Sequence, residues 1–143
     1  MSVSHVVESH VIPAPVNAVW SMVRECNFKF WSLVESVEVQ NGTSAEVGST
    51  RKVIFKDGTV QVFKIVELSD LRHTVTYEVI ESEPATDFMS SMHSFKLLPV
   101  THDNTTFVQW AGDYSADATQ AVIQDSQYKK KDGLVELAAA ARQ

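Results

Sequence analysis

Alternating apolar and polar residues dominate the middle of the chain and predict antiparallel strands. Over residues 72–82, Val75, Tyr77 and Val79 share one face while threonines and a glutamate occupy the other, which is typical of a half-buried strand. Asp57-Gly58 is a hairpin turn signal between two neighbouring strands. The same pattern predicts strands over 3–12, 35–40, 48–56, 59–67, 72–82, 88–99 and 105–114.

Helical spacing follows the first strand, where Pro13 and Pro15 end the alternation. Proline suits the first turn of a helix, and the apolar residues from Val16 to Val23 recur at helical intervals. The aromatic-rich segment 28–33 is predicted to form a second short helix or a turn. We therefore expect two short helices directly after the first strand.

A long helix is predicted over residues 118–142. Asp117 is a suitable N-cap, and Gln120 three residues later resembles a capping box. Gly133 interrupts the apolar stripe of this helix and costs up to about 1 kcal/mol relative to alanine. It is either simply tolerated, or it marks a place where the helix approaches a strand closely or borders a cavity.

The order of elements predicts an α+β fold with about seven antiparallel strands curved around the long C-terminal helix. The chain has 143 residues, of which 44% are apolar, and no linker or shift in composition divides it. This length and composition suit a single domain over 1–143.

Charge and cysteine content exclude several classes of function. The net charge is −6, and the only basic cluster is Lys129-Lys130-Lys131, interpreted as the solvated face of a helix. Nucleic acids and anionic membrane surfaces call for concentrated positive charge, so neither is an expected partner. The single cysteine, Cys26, cannot form an internal disulfide, and the N-terminus lacks a signal pattern. We predict a cytoplasmic protein without integral membrane association; the oligomeric state is left open.

Catalytic and metal-binding motifs are poorly supported. The five histidines show no metal-ligand spacing and none lies in a nucleophile motif, and no phosphate-binding or dinucleotide fingerprint occurs. We expect neither a metal nor a cofactor. Cys26, at a predicted helix end, is interpreted as a small buried residue.

Four segments in order resemble one family over about residues 3–141: VIPAPVNAVWSMV, VGSTRKV, DGTVQVFKIVELSD with the following RHTVTYEVIES, and YKKKDGLVEL. Together they are similar to the polyketide cyclase/dehydrase branch of the START-like, or SRPBCC, superfamily. The resemblance implies a helix-grip fold like that of the birch pollen allergen, in which a small, mostly apolar ligand lies between the sheet and the long helix.

The residues predicted to face inward become candidates for the cavity lining under this resemblance. They are aromatic or apolar with one cation, as ligand pockets usually are. The candidates are Arg51, Phe55, Phe63, Tyr77, Val79, Phe88, Met92, Trp110, Tyr114 and Tyr128. The register of the strand at 59–67 is the weakest step, because both of its faces are apolar and a bulge would exchange them.

Arg51 alternates with residues of the interior face, and a buried guanidinium needs partners for its five donors. Three roles are open: pairing with a carboxylate such as Glu67 or with backbone carbonyls, extending to the rim, or anchoring a ligand. The lachrymatory-factor synthases resemble the chain around this arginine but pair it with a glutamate where Phe63 stands here, so their isomerase chemistry is not expected. The pocket lysine of the abscisic-acid receptors falls near Leu33, and their carboxylate recognition is not expected either.

The first hypothesis for function is therefore the binding of a small hydrophobic ligand. The alternative is a cofactor-independent cyclase, dehydratase or isomerase in which Arg51 stabilises negative charge and Tyr77 or Tyr114 moves a proton. A third hypothesis is a protein-interaction module with a closed interior.

Overall fold

In the part of the chain that the structure describes, seven strands form one antiparallel sheet, and two helices accompany it. The structure, a computed structural model, describes residues 4–142. The strands are β1 (His5–Ile12), β2 (Val34–Asn41), β3 (Thr50–Phe55), β4 (Val60–Ser69), β5 (Thr74–Glu83), β6 (Ser91–Val100) and β7 (Thr105–Tyr114), and the helices are α1 (Val16–Val23) and α2 (Gln120–Ala141). The order across the sheet is β1-β7-β6-β5-β4-β3-β2. The predicted α+β class, with a seven-stranded sheet and a long C-terminal helix, is confirmed.

Helix α2 packs against β1 and β7, and α1 packs against β6 and β7. The apolar side of α2, which includes Leu134, Leu137 and Ala138, is buried in the same hydrophobic cluster as α1 and the inner face of the sheet. Burial of such side chains contributes roughly 1.5–3 kcal/mol each for the larger ones. The sheet therefore carries the helix on one face, while the other face is turned to solvent.

Strand periodicity correctly predicted the inner faces of β4, β5 and β7. Val75 and Tyr77 are buried on β5, and Trp110 is buried on β7. On β4, Phe63 and Ile65 are buried although the pairing with β5 is irregular on either side of them. The predicted start of the first strand at Val3 lies outside the described residues.

The prediction of a second short helix is wrong, because residues 28–33 form turns, the other possibility that the sequence offered. Cys26 and Phe28 adopt positive φ angles of 50° and 51°, a left-handed conformation that cannot continue a right-handed helix. Backbone bonds from Trp31 to Phe28 and from Val34 to Trp31, both 3.0 Å, close two successive turns. The segment carries the Phe28 ring inward, where it packs against Phe63 at 5.6 Å between ring centroids.

The N-terminus of α2 is a second correction. Thr119, not Asp117, is the N-cap, and its Oγ1 accepts a bond from the backbone N–H of Val122 at 3.3 Å. Asp117 instead accepts a bond from the backbone N–H of Met89 at 3.0 Å, so it ties the β5–β6 loop to the start of the helix. Gln120 is then the first helical residue and forms no capping box.

Gly133 marks a close approach, the sharper of the two predicted interpretations. A Cβ at this position would lie 2.6 Å from Cζ3 of Trp110 and 3.2 Å from Nε1 of Trp31. Real Cβ atoms do not come so near to a rigid indole, so glycine lets α2 lie against the two tryptophans. Gly133 does not border the cavity described below.

Candidate functional site

A cavity of about 560 Å³ lies between the sheet and the first half of α2. Its volume is within the range of small-molecule sites. The exposed residues of its lining lie on the β3–β4 turn, the β5–β6 loop and the first turns of α2, and we call this side its mouth. The walls are formed by Trp31, Phe55, Asp57, Thr59, Gln61, Phe63, Tyr77, Val79, Ser82, Pro84, Ala85, Thr86, Asp87, Phe88, Ser91, His93, Tyr114, Thr119, Ala121, Val122, Asp125, Ser126, Lys129 and Lys130.

The loop that carries Phe28 limits the size of the cavity. Besides Phe63, the Phe28 ring packs edge-on against Tyr77 at 5.5 Å and stacks on Trp110 at 6.2 Å. These rings pack together in the core, and the cavity extends from Phe63 and Tyr77 towards the β3–β4 turn and the start of α2.

Six of the predicted site residues line this cavity: Phe55, Phe63, Tyr77, Val79, Phe88 and Tyr114. They come from β3, β4, β5, β7 and the β5–β6 loop. Contact of any of them with a ligand stays a prediction.

Three other predicted residues lie elsewhere. Met92 faces outward with 39% of its surface exposed, because its neighbours Ser91 and His93 on β6 point into the cavity. Tyr128 on α2 is 67% exposed. Trp110 is fully buried behind the cavity, where its indole stacks on Phe95 and its Nε1 donates to the Tyr77 hydroxyl at 3.2 Å. Strand parity was correct for Trp110, but the rings in front of it separate it from the open space.

Arg51 is the fourth predicted residue outside the cavity, and it is fully buried. Its Nη1 donates to the backbone carbonyls of Glu25 and, at 3.0 Å, of Ser44, while Nη2 donates to Oγ of Ser49 at 2.6 Å. Burial lowers the pKa of the guanidinium, opposed by the nearby Cys26 and Glu25. Of the three roles left open by the sequence, the structure shows pairing with backbone carbonyls. Arg51 therefore holds the 24–27 turn and the β2–β3 connection against β3.

A polar cluster that the sequence analysis missed lies at the inner end of the cavity. The amine of Lys130, a residue only 5% exposed, is 2.9 Å from Nδ1 of His93 and 3.2 Å from Oγ of Ser126. The Tyr114 hydroxyl donates to the same Ser126 Oγ at 2.6 Å, and Nε2 of His93 lies 3.0 Å from Oγ of Ser91. We call these five residues the floor cluster.

Aromatic rings hold the imidazole of the floor cluster in place. The Tyr77 ring stacks on His93 at 5.2 Å between centroids, and the Tyr114 ring meets it edge-on at 5.5 Å. The Lys130 amine also lies 5.3 Å from the centre of the Trp110 ring, a favourable cation–π distance. The amine is thus positioned by neutral groups and rings.

Gly112 on β7 provides the space for the imidazole and the amine. A Cβ there would lie 2.9 Å from Nδ1 of His93 and 3.3 Å from Nζ of Lys130. The φ angle of Gly112 is not in the left-handed region, so the backbone alone does not demand glycine. The His93–Lys130 pair fits because this position has no side chain.

The surroundings of the floor cluster favour the uncharged forms of its titratable side chains. Burial, reinforced by the neighbouring charge of Lys129, lowers the pKa of Lys130 to about 7. Burial also lowers the pKa of His93 well below its usual value, with Lys130 as a second cause, and burial raises the pKa of Tyr77 and of Tyr114. Among residues 4–142, no carboxylate forms an ion pair with Lys130.

The mouth of the cavity is charged, in contrast to the floor. Asp57, Asp87 and Asp125 stand there together with Lys129, which pairs with Asp125 at 2.8 Å. The sequence interpretation of the lysine triplet as a solvated face holds for Lys129 and Lys131, which are exposed, and is wrong for Lys130. Helical spacing could have shown this, because Ser126, Lys130 and Leu134 follow one another at intervals of four residues.

Within residues 4–142, no helix is long and apolar enough to cross a bilayer. In the same part of the chain, no three His, Cys, Asp or Glu side chains are grouped so that they could hold a metal ion.

Comparison with known proteins gives a family and several structures that share the fold. Residues 4–141 match the family described as polyketide cyclase / dehydrase and lipid transport. No curated protein matches the sequence. A protein from Nitrosospira multiformis of known structure is 28% identical, with 94% of each chain covered and a TM-score of 0.82.

Two further structures share the fold at lower identity. The protein XoxI from Bacillus cereus is 18% identical, with 96% of this chain and 95% of that chain covered and a TM-score of 0.81. Ara h 8.0201 is 16% identical, with 96% of both chains covered and a TM-score of 0.78. At such identities the likeness concerns the fold alone.

Proposed function

Because the chain belongs to the polyketide cyclase / dehydrase and lipid transport family, we propose that it binds a small, mostly apolar molecule in the cavity between the sheet and α2. The observation that carries this proposal is the cavity itself, in whose walls aromatic and apolar side chains alternate with polar ones such as Thr59, Gln61 and Ser82, and which ends in the floor cluster. Walls of Phe55, Phe63, Val79 and Phe88 suit a hydrocarbon or ring system. The floor cluster suits a single polar group at the inner end of the ligand.

The orientation of the ligand follows from the cost of burying polar atoms. A polar group placed against the apolar walls would lose its hydrogen bonds to water without replacement, at roughly 1–3 kcal/mol. The Lys130 amine and the Tyr114 hydroxyl lie where they can replace those bonds. The ligand is therefore expected to enter with its polar end first.

Binding can be tested with N-phenyl-1-naphthylamine, a neutral dye whose emission rises in apolar surroundings. We expect saturable binding of one dye per chain. Val122→Trp, which places an indole in the cavity wall, should abolish it. Val135→Trp is the matched control, because Val135 lies on the same helix but is 56% exposed and outside the cavity. Equal loss in both variants, or no binding to the wild type, would contradict the proposal.

The natural ligand can be sought by native mass spectrometry of the protein purified from its own cell extract. A bound molecule that is retained by the wild type and by Val135→Trp, but lost in Val122→Trp, would identify the occupant of the cavity.

A cytoplasmic location stays a prediction, supported by the free and buried Cys26.

A second candidate function is a cofactor-independent cyclase, dehydratase or isomerase. The observation that favours it is the floor cluster, in which an amine with a pKa of about 7 lies near hydroxyl groups. Turnover of the recovered molecule, followed by NMR in the presence of wild type and of Lys130→Met, distinguishes the two candidates. A simple binding protein would leave the molecule unchanged in both samples.

A further inference from the structure

We propose that Lys130 captures carbonyl compounds: its amine forms an imine with an apolar aldehyde or ketone that enters the cavity. This reaction rests on the proposed function to the extent that the cavity must admit an apolar molecule. It goes further in assigning a chemical class of ligand and a covalent bond to one named atom.

The position of the amine is the first argument. Lys130 lines the cavity together with His93 and Ser126, the two residues that its Nζ contacts, so a carbonyl that enters polar end first approaches the amine. A structural buried lysine is usually paired with a carboxylate, because an unpaired buried charge is expensive. Here the partners of Nζ are the imidazole of His93 and the hydroxyl of Ser126, both uncharged.

The protonation state is the second argument, since only an unprotonated amine carries the lone pair that attacks a carbonyl. With a pKa of about 7, about half of the Lys130 amines are unprotonated at pH 7. An ordinary exposed lysine is unprotonated in about one molecule in a few thousand at that pH.

The groups that face Lys130 from the surrounding elements favour the unprotonated amine. They are Asp125 and Lys129 on α2, His93 on β6, Tyr114 on β7 and Tyr77 on β5. Burial keeps His93 and both tyrosines uncharged at neutral pH, and Asp125 is engaged with Lys129 at the mouth. On β1, Glu8 accepts a bond from Gln127 rather than from Lys130.

The reaction needs no reagent beyond the carbonyl compound. The lone pair of Nζ forms a C–N bond with the carbonyl carbon while the C=O π pair moves to oxygen, and one proton passes from nitrogen to that oxygen. The second nitrogen proton then passes to the hydroxyl oxygen of the resulting carbinolamine, the C–O bond breaks, and water leaves as the nitrogen lone pair forms the C=N bond. His93 and the Tyr114–Ser126 pair lie where they can relay these protons.

The test uses 3-phenylpropanal, whose apolar ring and terminal aldehyde fit the proposed orientation, with sodium cyanoborohydride at pH 7 to reduce any imine to a stable amine. Intact mass followed by fragmentation locates the adduct. We expect one dominant adduct, on Lys130, forming at least about tenfold faster than on any other lysine and about three- to fivefold faster than on an ordinary N-terminal amine. The alcohol 3-phenylpropanol, which has no carbonyl, should compete with the aldehyde and form no adduct.

Two variants provide matched controls. Lys130→Met should remove the fast adduct, whereas Lys131→Met, which changes an exposed lysine of the same helix outside the cavity, should retain it. Fragmentation of the wild-type adduct keeps the test decisive even if Lys130→Met folds poorly. Adducts spread over the exposed lysines, with dye binding intact, would overturn imine formation and leave ligand binding standing. Absence of both dye binding and the adduct would overturn both proposals.

Discussion

Arg51 and Lys130 are both cations buried in the same domain interior, yet the fold treats them in opposite ways. Arg51 directs its guanidinium at backbone carbonyls and a hydroxyl in the connections around β3, away from the open space. Lys130 directs its amine at uncharged side chains on the cavity wall.

The difference follows from the chemistry of the two side chains. A guanidinium keeps its charge at any physiological pH and offers five donors in a fixed plane, so it can join several carbonyls into one rigid unit. An amine loses its proton readily when buried, and it then gains a nucleophilic lone pair. In this protein the buried arginine holds turns together, whereas the buried lysine beside the cavity is the group for which we propose chemistry.

Arg51→Met should give the largest effect on stability. Removing the guanidinium leaves two carbonyls and a hydroxyl without their charged donor, and we expect a loss of about 3 kcal/mol in the free energy of unfolding. Urea denaturation measures this loss, with Lys52→Met on the neighbouring outward position as the control. The dye affinity of the folded variant should be unchanged. A loss of affinity without a loss of stability would show that Arg51 serves ligand binding rather than structure.

Gly112→Ala should have an effect of intermediate size on stability. This effect should concern the surroundings of Lys130 and not those of Arg51. The added methyl group meets the His93 imidazole, which the Tyr77 and Tyr114 rings prevent from moving aside. We expect a loss of about 2 kcal/mol, as for other overpacked sites, together with slower adduct formation at Lys130. Ala111→Ser, which adds one atom at the adjacent position of β7, is the control. An unchanged adduct rate would show that the pair does not need the space at Gly112.

The change in stability with pH should be the smallest of the three effects, and its direction follows from the pKa of Lys130. The pKa of Lys130 is about 7 in the folded protein and near 10.5 when the chain is unfolded, so the unfolded state binds the extra proton between these values. Stability must then rise with pH, by about 1 kcal/mol between pH 7 and pH 8. The interval from pH 7 to pH 8 lies below the pH range in which tyrosine side chains ordinarily titrate.

The measurement compares urea denaturation of the wild type with that of Lys130→Met at both pH values. The variant lacks the titrating amine and should show most of the rise removed, while Lys131→Met, which changes an exposed lysine outside the cavity, should retain it. His93, whose pKa is also lowered, adds a loss of stability in both proteins as the pH falls below about 6.5. A wild type whose stability is flat from pH 7 to pH 8 would show that Lys130 stays charged inside the fold.

The sequence by itself determined the sheet, the long helix and much of the cavity wall. Strand alternation depends only on the period of the backbone, so Tyr77, Val79 and Tyr114 could be assigned to the interior without knowing the partners of their strands. The same reasoning could not choose the inner face of β1, whose Val7 and Val11 are exposed while Val6 and Ile12 are buried. That choice depends on where α2 lies.

Only the tertiary structure decided which inward residues border open space and which are packed solid. Arg51 and Trp110 point inward as their spacing predicts, but carbonyls from two turns hold the first, and the second lies behind Trp31 and Tyr77, which line the cavity. Lys130 was assigned to solvent because lysine is seldom buried, and its burial depends on three strands and a glycine that are remote in sequence. Spacing fixes the direction of a side chain, whereas its surroundings come from segments that meet only in the folded chain.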